Sequence, residues 1–174
     1  MKIMFISDIH GSKTNLRKMR ENYDLEKADI VIILGDLFLG YKDREEIEKI
    51  VNSFPKKVVI KGNNDLTGDI FTSTIEYVDN FCFTAFDKRF YCTHGDIYNI
   101  NRLPNKDFDV LVYGHTHVGE LVKDATVRSA VKYYINPGSI SYPRGGTGNS
   151  YIIVDEKGIY LKNLYQNIID FIKW

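Results

Sequence analysis

Cysteine is scarce: Cys82 and Cys92 are the only two in a chain of 174 residues. Two thiols cannot staple a chain of this length, so a disulfide-built scaffold is excluded. Both lie in strand-like runs on either side of Phe86-Asp87-Lys88, where they could face each other across a hairpin. They lack thiolate metal-site spacing and read as reduced, buried thiols. Long apolar runs are missing too. No stretch is long and apolar enough to span a bilayer, and the opening run ends at Asp8, too early for an export signal. A cytoplasmic protein without membrane association is expected. Nor is there an excess of charge, since 23 basic residues balance 23 acidic ones. A neutral chain has no general attraction for nucleic acid or anionic lipid, so an anionic ligand must be held by a local site. Repeats, low-complexity tracts and linkers are also absent.

What is present suits one domain over residues 1–174, with 44% hydrophobic and 26% charged residues. Lys2 to Ser7, Asp29 to Leu34 and Lys57 to Lys61 are short apolar runs that read as buried strands. Between them, Leu16 to Tyr23 reads as a helix capped by Ser12. A second helix starts at Asp43, with Glu46 placed for a capping box and Ile47, Ile50 and Val51 inward. This alternation predicts parallel strands joined by crossovers. The second half holds strand-like runs at Ile75–Val78, Phe81–Phe86, Phe90–Thr93, Asp109–Tyr113, Glu120–Lys123, Val131–Ile135, Ser150–Val154 and Gly158–Leu161. A largely antiparallel region packed on the first follows. The tail Leu164–Trp174 fits a helix or a strand equally well.

All four histidines fall in three segments that each follow an apolar strand: Asp8-Ile9-His10-Gly11, Thr93-His94-Gly95-Asp96 and Gly114-His115-Thr116-His117. Gly35-Asp36 and Gly62-Asn63-Asn64-Asp65 end strands in the same way. Open α/β sheets gather ligands at the carboxyl ends of their strands, so these segments should converge. In Asp8-x-His10 and His115-x-His117, side chains two apart on a strand end point to one side. Each segment alone is weak evidence, since polar residues and Gly commonly end strands in turns. The force lies in the set, its order and the absence of histidine elsewhere. Imidazole and carboxylate suit manganese, nickel, zinc or iron.

The ordered set Asp8-x-His10, Gly35-Asp36, Gly62-Asn63-x-Asp65, His94 and Gly114-His115-Thr116-His117 resembles the calcineurin-like metallophosphoesterase superfamily. The segment Asn136-Pro137-Gly138-Ser139, followed by Pro143-Arg144, is similar to the ending of its small bacterial and archaeal phosphodiesterase branch. The resemblance implies a four-layer α/β/β/α sandwich of two mixed sheets with flanking helices. It implies two divalent ions, manganese foremost. Asp8, His10, Asp36 and His117 would hold the first ion, and Asp36, Asn63, His94 and His115 the second. Asp36 would bridge them, because a carboxylate has two oxygens for two cations. Asp65 and Asp96 would orient imidazoles. The resemblance implies a phosphodiesterase, with Asp36, Asn63, Asn64 and Asp65 as its catalytic set, acting on a small phosphate ester, diesters favoured over monoesters, through a metal-bound hydroxide that attacks phosphorus. Two divalent ions outweigh two carboxylates and a hydroxide, which leaves positive charge for the phosphate.

Many members carry His where this chain has Asn64, and that His is taken to protonate the leaving group. Asn64 cannot, so poor leaving groups should react slowly. Asn64 and Arg144 are the expected substrate contacts, Arg144 through a forked phosphate clamp. Alternatives are a phosphomonoesterase or nucleotidase on the same site, or a non-catalytic metal-binding scaffold, as in a eukaryotic retromer subunit that resembles this branch. Every expected ligand position is filled, which favours an enzyme. An exposed edge strand offers a route to a homo-oligomer, and nothing in the sequence locates one.

Overall fold

The computed structural model describes residues 1–40, 43–65, 73–126 and 132–174. The first half gives β1 (Ile3–Ile6), α1 (Lys13–Glu26), β2 (Ile30–Ile33), α2 (Arg44–Asn52), β3 (Lys57–Ile60) and β4 (Tyr77–Val78). The second half gives β5 (Phe81–Ala85), β6 (Lys88–Cys92), β7 (Val110–Val112) and β8 (Gly119–Asp124). It continues with β9 (Lys132–Pro137), β10 (Ser150–Asp155), β11 (Gly158–Asn163) and β12 (Ile168–Lys173). Val131, read as the start of a strand, lies outside the described residues.

β1 to β4 are parallel, as the alternation predicts, with Ile3 opposite Ile30, Val31 opposite Lys57 and Val59 opposite Tyr77. On the other side of β1, β10, β11 and β12 add antiparallel neighbours and complete a seven-stranded sheet. The ambiguous tail is thus a strand, in keeping with its β-branched Ile168, Ile169 and Ile172. β1 and β2 are apolar throughout because both of their faces are covered. Met4, Ile6, Val31 and Ile33 meet Leu16 and Met19 of α1 and Ile47 and Val51 of α2. Ile3, Phe5, Ile32 and Leu34 face Phe90, Cys92, Val110, Val112 and Ile135 of the second sheet.

The second sheet runs β5-β6-β7-β9-β8. Its three central strands are parallel and only its edge pairs are antiparallel, so it is mixed rather than largely antiparallel. Both helices of the described residues lie on the first sheet. On the outer face of the second, the irregular segment after β6 supplies the layer among the described residues. Its Tyr98, Ile100 and Phe108 pack on Tyr91, Leu111, Tyr113 and Tyr134. That segment is rich in Asn, Asp and Pro104, which favour turns over a helix.

Local expectations change at three points. Ser12 and Asp43 occupy N-cap positions but make no capping bond through their side chains. Asp43 and Glu46 instead receive Lys13 of α1, at 3.0 and 2.8 Å, and Arg17 also pairs with Glu46, which ties the helices side by side. Cys92 sits opposite Phe81 and Cys82 opposite Tyr91, so the thiols occupy opposite faces of the hairpin; Cys92 is buried and Cys82 exposed.

Candidate metal centre

The segments that end β1, β2, β3, β6 and β7 meet at one end of the sandwich. Backbone hydrogen bonds knit them together. Asp8 donates to the Gly35 carbonyl, Ile9 and His10 to Asp36, and Gly114 to His94. The amide of His115 reaches across to Asp8 Oδ2 at 3.0 Å. The first sheet thereby contributes Asp8, His10, Asp36 and Asn63, and the second contributes His94, His115 and His117.

Two groups of ligand atoms gather within 4.8 Å: Asp8, His10 and His117, and Asp8, Asp36 and His94. His117 Nε2 lies 3.3 Å from Asp8 Oδ1 and 3.2 Å from His10 Nε2, and His10 Nε2 lies 3.6 Å from Asp36 Oδ2. His94 Nε2 stands 3.5 Å from Asp36 Oδ2 and 2.9 Å from Asn63 Oδ1. The ring of His115 packs edge-on to His94, with centroids 5.2 Å apart, and its nitrogens belong to neither close group. Asp8 is common to both groups, and Asp36 Oδ2 has His10 on one side and His94 on the other.

The two-residue spacings act differently from strand alternation. Asp8, His10, Asp36, His115 and His117 all hold positive φ between 43° and 65°, so left-handed turns aim these side chains inward. Asp and His tolerate this conformation better than most residues.

Orientation of the imidazoles also departs from expectation. His94 Nδ1 meets the Leu34 carbonyl at 2.6 Å and His117 Nδ1 the Tyr142 carbonyl at 2.7 Å. Backbone carbonyls, rather than Asp65 and Asp96, therefore turn each Nε2 toward the cluster. Asp65 accepts instead from the amides of Asp36, Leu37 and Gly62, each at 2.9 Å, and pins the turns after β2 and β3 to each other. Asp96 is exposed and lines a neighbouring cavity. Asn64 donates its side-chain amide to Asp36 Oδ2 at 2.7 Å and its backbone amide to Asp36 Oδ1 at 2.8 Å. Although exposed, it thereby holds the central carboxylate. Arg144 bonds the His117 carbonyl through its backbone amide. Its exposed side chain borders a cavity of about 510 Å³ beside His10, His117 and Tyr142.

The segment Asn136 to Ser141 proves to be a buttress. Asn136 donates to the Gly114 carbonyl at 2.9 Å, and the Ser139 and Ser141 hydroxyls donate to the Asp8 carbonyl at 2.7 and 2.9 Å. The turn residues Pro137 and Gly138 flag this segment in the sequence, but nothing in it reveals the target carbonyls.

Electrostatics favour a cation here. Burial raises the Asp8 carboxyl, but its bond to His117 and the charge of His94 outweigh this and hold it below the usual carboxylate value. The same bond raises His117 against its burial. Burial lowers His10, with Asp36 and Asp8 partly opposing. Burial pushes the Asp65 carboxyl up to about 6. Asp8 Oδ1 is buried and meets no donor beyond the His117 imidazole at 3.3 Å. Such an atom is costly unless something polar meets it, and a divalent cation among two carboxylates and imidazoles fits that need.

Comparison with known proteins places this geometry. A family model described as the calcineurin-like phosphoesterase superfamily domain matches residues 1–158. Phosphodiesterase YfcE of Escherichia coli K12 is 31% identical over 167 residues, covering 89% of this chain and 88% of that protein. Phosphodiesterase MJ0936 of Methanocaldococcus jannaschii is 32% identical over 151 residues, covering 79% of this chain and 83% of the relative. The solved structure of the E. coli phosphoesterase YfcE superposes with a TM-score of 0.84 at 28% identity, covering 99% of both chains.

Proposed function

The chain belongs to the calcineurin-like phosphoesterase superfamily, and we propose that it is a phosphodiesterase using two divalent metal ions at the Asp36 cluster. One observation carries the reading: carboxylates and imidazoles from both sheets converge, and buried Asp8 Oδ1 meets no donor beyond the imidazole of His117. Asp8, His10, Asp36 and His117 would hold one ion, and Asp36, Asn63, His94 and His115 the other. His115, whose ring packs edge-on to His94, would complete the second set. Two such ions, when bound, would activate water and neutralise charge on the phosphoryl oxygens. The chain's own residues prepare the site. Asn64 fixes the angle of the Asp36 carboxylate, and the Leu34 and Tyr142 carbonyls fix two rings. Arg144, without an ion-pair partner among the described residues, is placed to hold a phosphate oxygen. With Asn64 engaged on Asp36 and unable to donate a proton to the departing oxygen, esters of acidic alcohols are the favoured substrates. The names of the relatives YfcE and MJ0936 support diesters over monoesters.

The test is hydrolysis of an aryl phosphodiester and the matching monoester by metal-stripped protein, with manganese, nickel, zinc or magnesium restored. Diester hydrolysis should return with manganese and be at least about a hundredfold lower in Asp36→Asn. A higher rate on the monoester would instead identify a phosphomonoesterase. Stoichiometric metal binding without turnover would point to a scaffold.

A further inference from the structure

A second cavity, of about 600 Å³, opens on the opposite flank of the cluster from Arg144, beside Asn63. It lies between the carboxyl ends of β3 and β6 and the turn that carries the chain from β4 to β5. The Lys61 amide bonds the Val78 carbonyl at 2.9 Å and holds the first and third of these together. Lys61, Asp79, Asn80, Asp96, the exposed Ile97 and Tyr98 line it. The side chains of Lys61, Asp79, Asn80 and Asp96 make no hydrogen bond or ion pair among the described residues.

The two flanks differ in chemistry. Leu39, Tyr142 and Pro143 give the cavity beside His10 an apolar wall, with Leu39 60% exposed. The cavity beside Asn63 presents two carboxylates that accept, an ammonium that donates and an amide that does both. A phosphodiester has two arms, so a site with two unlike flanks can orient it. Building on the phosphodiesterase reading, we propose that the Asn63-side cavity receives a neutral polyhydroxylated arm of the substrate, with Lys61 and Asp96 setting specificity. Hydroxyls donate and accept, so they can satisfy all four unpaired groups. An aliphatic arm would strip water from those groups without replacing its bonds. A second phosphate would meet Asp79 and Asp96, and an ammonium, though drawn to those carboxylates, would meet Lys61.

The decisive comparison is 2,3-dihydroxypropyl 4-nitrophenyl phosphate against propyl 4-nitrophenyl phosphate, which share one leaving group. On manganese-loaded protein the diol ester should be preferred in kcat/KM by about tenfold, mostly through KM. The preference should fall toward one in Asp96→Asn and in Lys61→Met, with thermal melts reporting that both variants fold. No preference in the wild type, a preference retained in both variants, or faster turnover of the 2-aminoethyl ester would overturn the assignment. Calorimetric titration with 2,3-dihydroxypropyl phosphate and propyl phosphate separates this from the phosphodiesterase reading. If neither diester is hydrolysed, that reading fails, while tighter binding of the diol phosphate still upholds the cavity and equal binding sinks it.

Discussion

Among the described residues, ten other than glycine hold positive φ, and half of them are Asp8, His10, Asp36, His115 and His117. Such conformations each cost on the order of 1 kcal/mol or more, and they persist where the surroundings fix them. Here the surroundings are the backbone bonds among strand ends and the hydroxyls on the Asp8 carbonyl. The strain aims polar groups at one another, and the same arrangement sets a pH dependence. His117 is raised by its bond to Asp8, so its protonation stabilises the metal-free fold below about pH 6.5, and this contribution is lost as pH rises through the higher folded value. Asp8 is lowered, so its contribution is present above about pH 4 and lost as pH falls through the folded value. A cation binding here must displace the His117 proton. Manganese titrated at pH 6.5 in two buffers of different ionisation enthalpy should show release of about half a proton or more, and less in Asp8→Asn. No release from the wild type would place His117 outside the ligand set. The residue types of the site were legible because histidine occurs nowhere else. Their directions were not, because left-handed turns and orienting carbonyls leave no mark in residue identity.

At the scale of elements, the turns after β2 and β3 behave as one unit. Asp65 accepts amides from both turns, and Asn64 bonds Asp36 twice. Gly62 permits this approach: a Cβ there would collide with the Asp36 carboxylate and backbone amide. Gly114 plays the same part for β1, where a Cβ would strike the Ser7 hydroxyl. Overpacking of this kind costs about 1–3 kcal/mol, and relief here requires Asp36 to move. Gly62→Ala should therefore lower the urea midpoint and, in protein that still folds, reduce bound manganese below two ions per chain. Unchanged stoichiometry would mean that Asp36 is not pinned by this contact. Strands were readable from their apolar runs, since covered parallel strands must be apolar throughout. Helix caps were misread because Asp43 and Glu46 find Lys13 and Arg17 across a helix pair, a partner that sequence neighbours do not disclose. The direction of strands in the second sheet depends on where connections return, and that is equally hidden.

For the molecule as a whole, the site exists only when the sheets dock, because each sheet contributes part of the cluster. The opposite end of the sandwich carries a clamp. Trp174 donates its indole N–H to the Asp155 carbonyl at 2.8 Å. Its ring meets Tyr133 edge-on at 5.2 Å and stacks on Phe86 at 6.3 Å, and the Lys88 ammonium lies 5.0 Å from its centre. Asp155 follows Val154, which pairs with Ile3 at the start of β1, whereas the cluster follows the end of that strand. The clamp thus joins the first sheet to the second far from the chemistry. Truncating a buried aromatic costs about 3–5 kcal/mol, and a half-buried one less. Trp174→Ala should lower stability by about 2 kcal/mol, read as a fall in Tm, while manganese stoichiometry and kcat/KM stay at wild-type values well below the melt. Saturating manganese should recover part of the lost Tm, since an ion that binds only the docked sheets stabilises them by mass action. Activity that falls in step with Tm, at temperatures where the protein is still folded, would mean that docking at the clamp governs the geometry at the cluster.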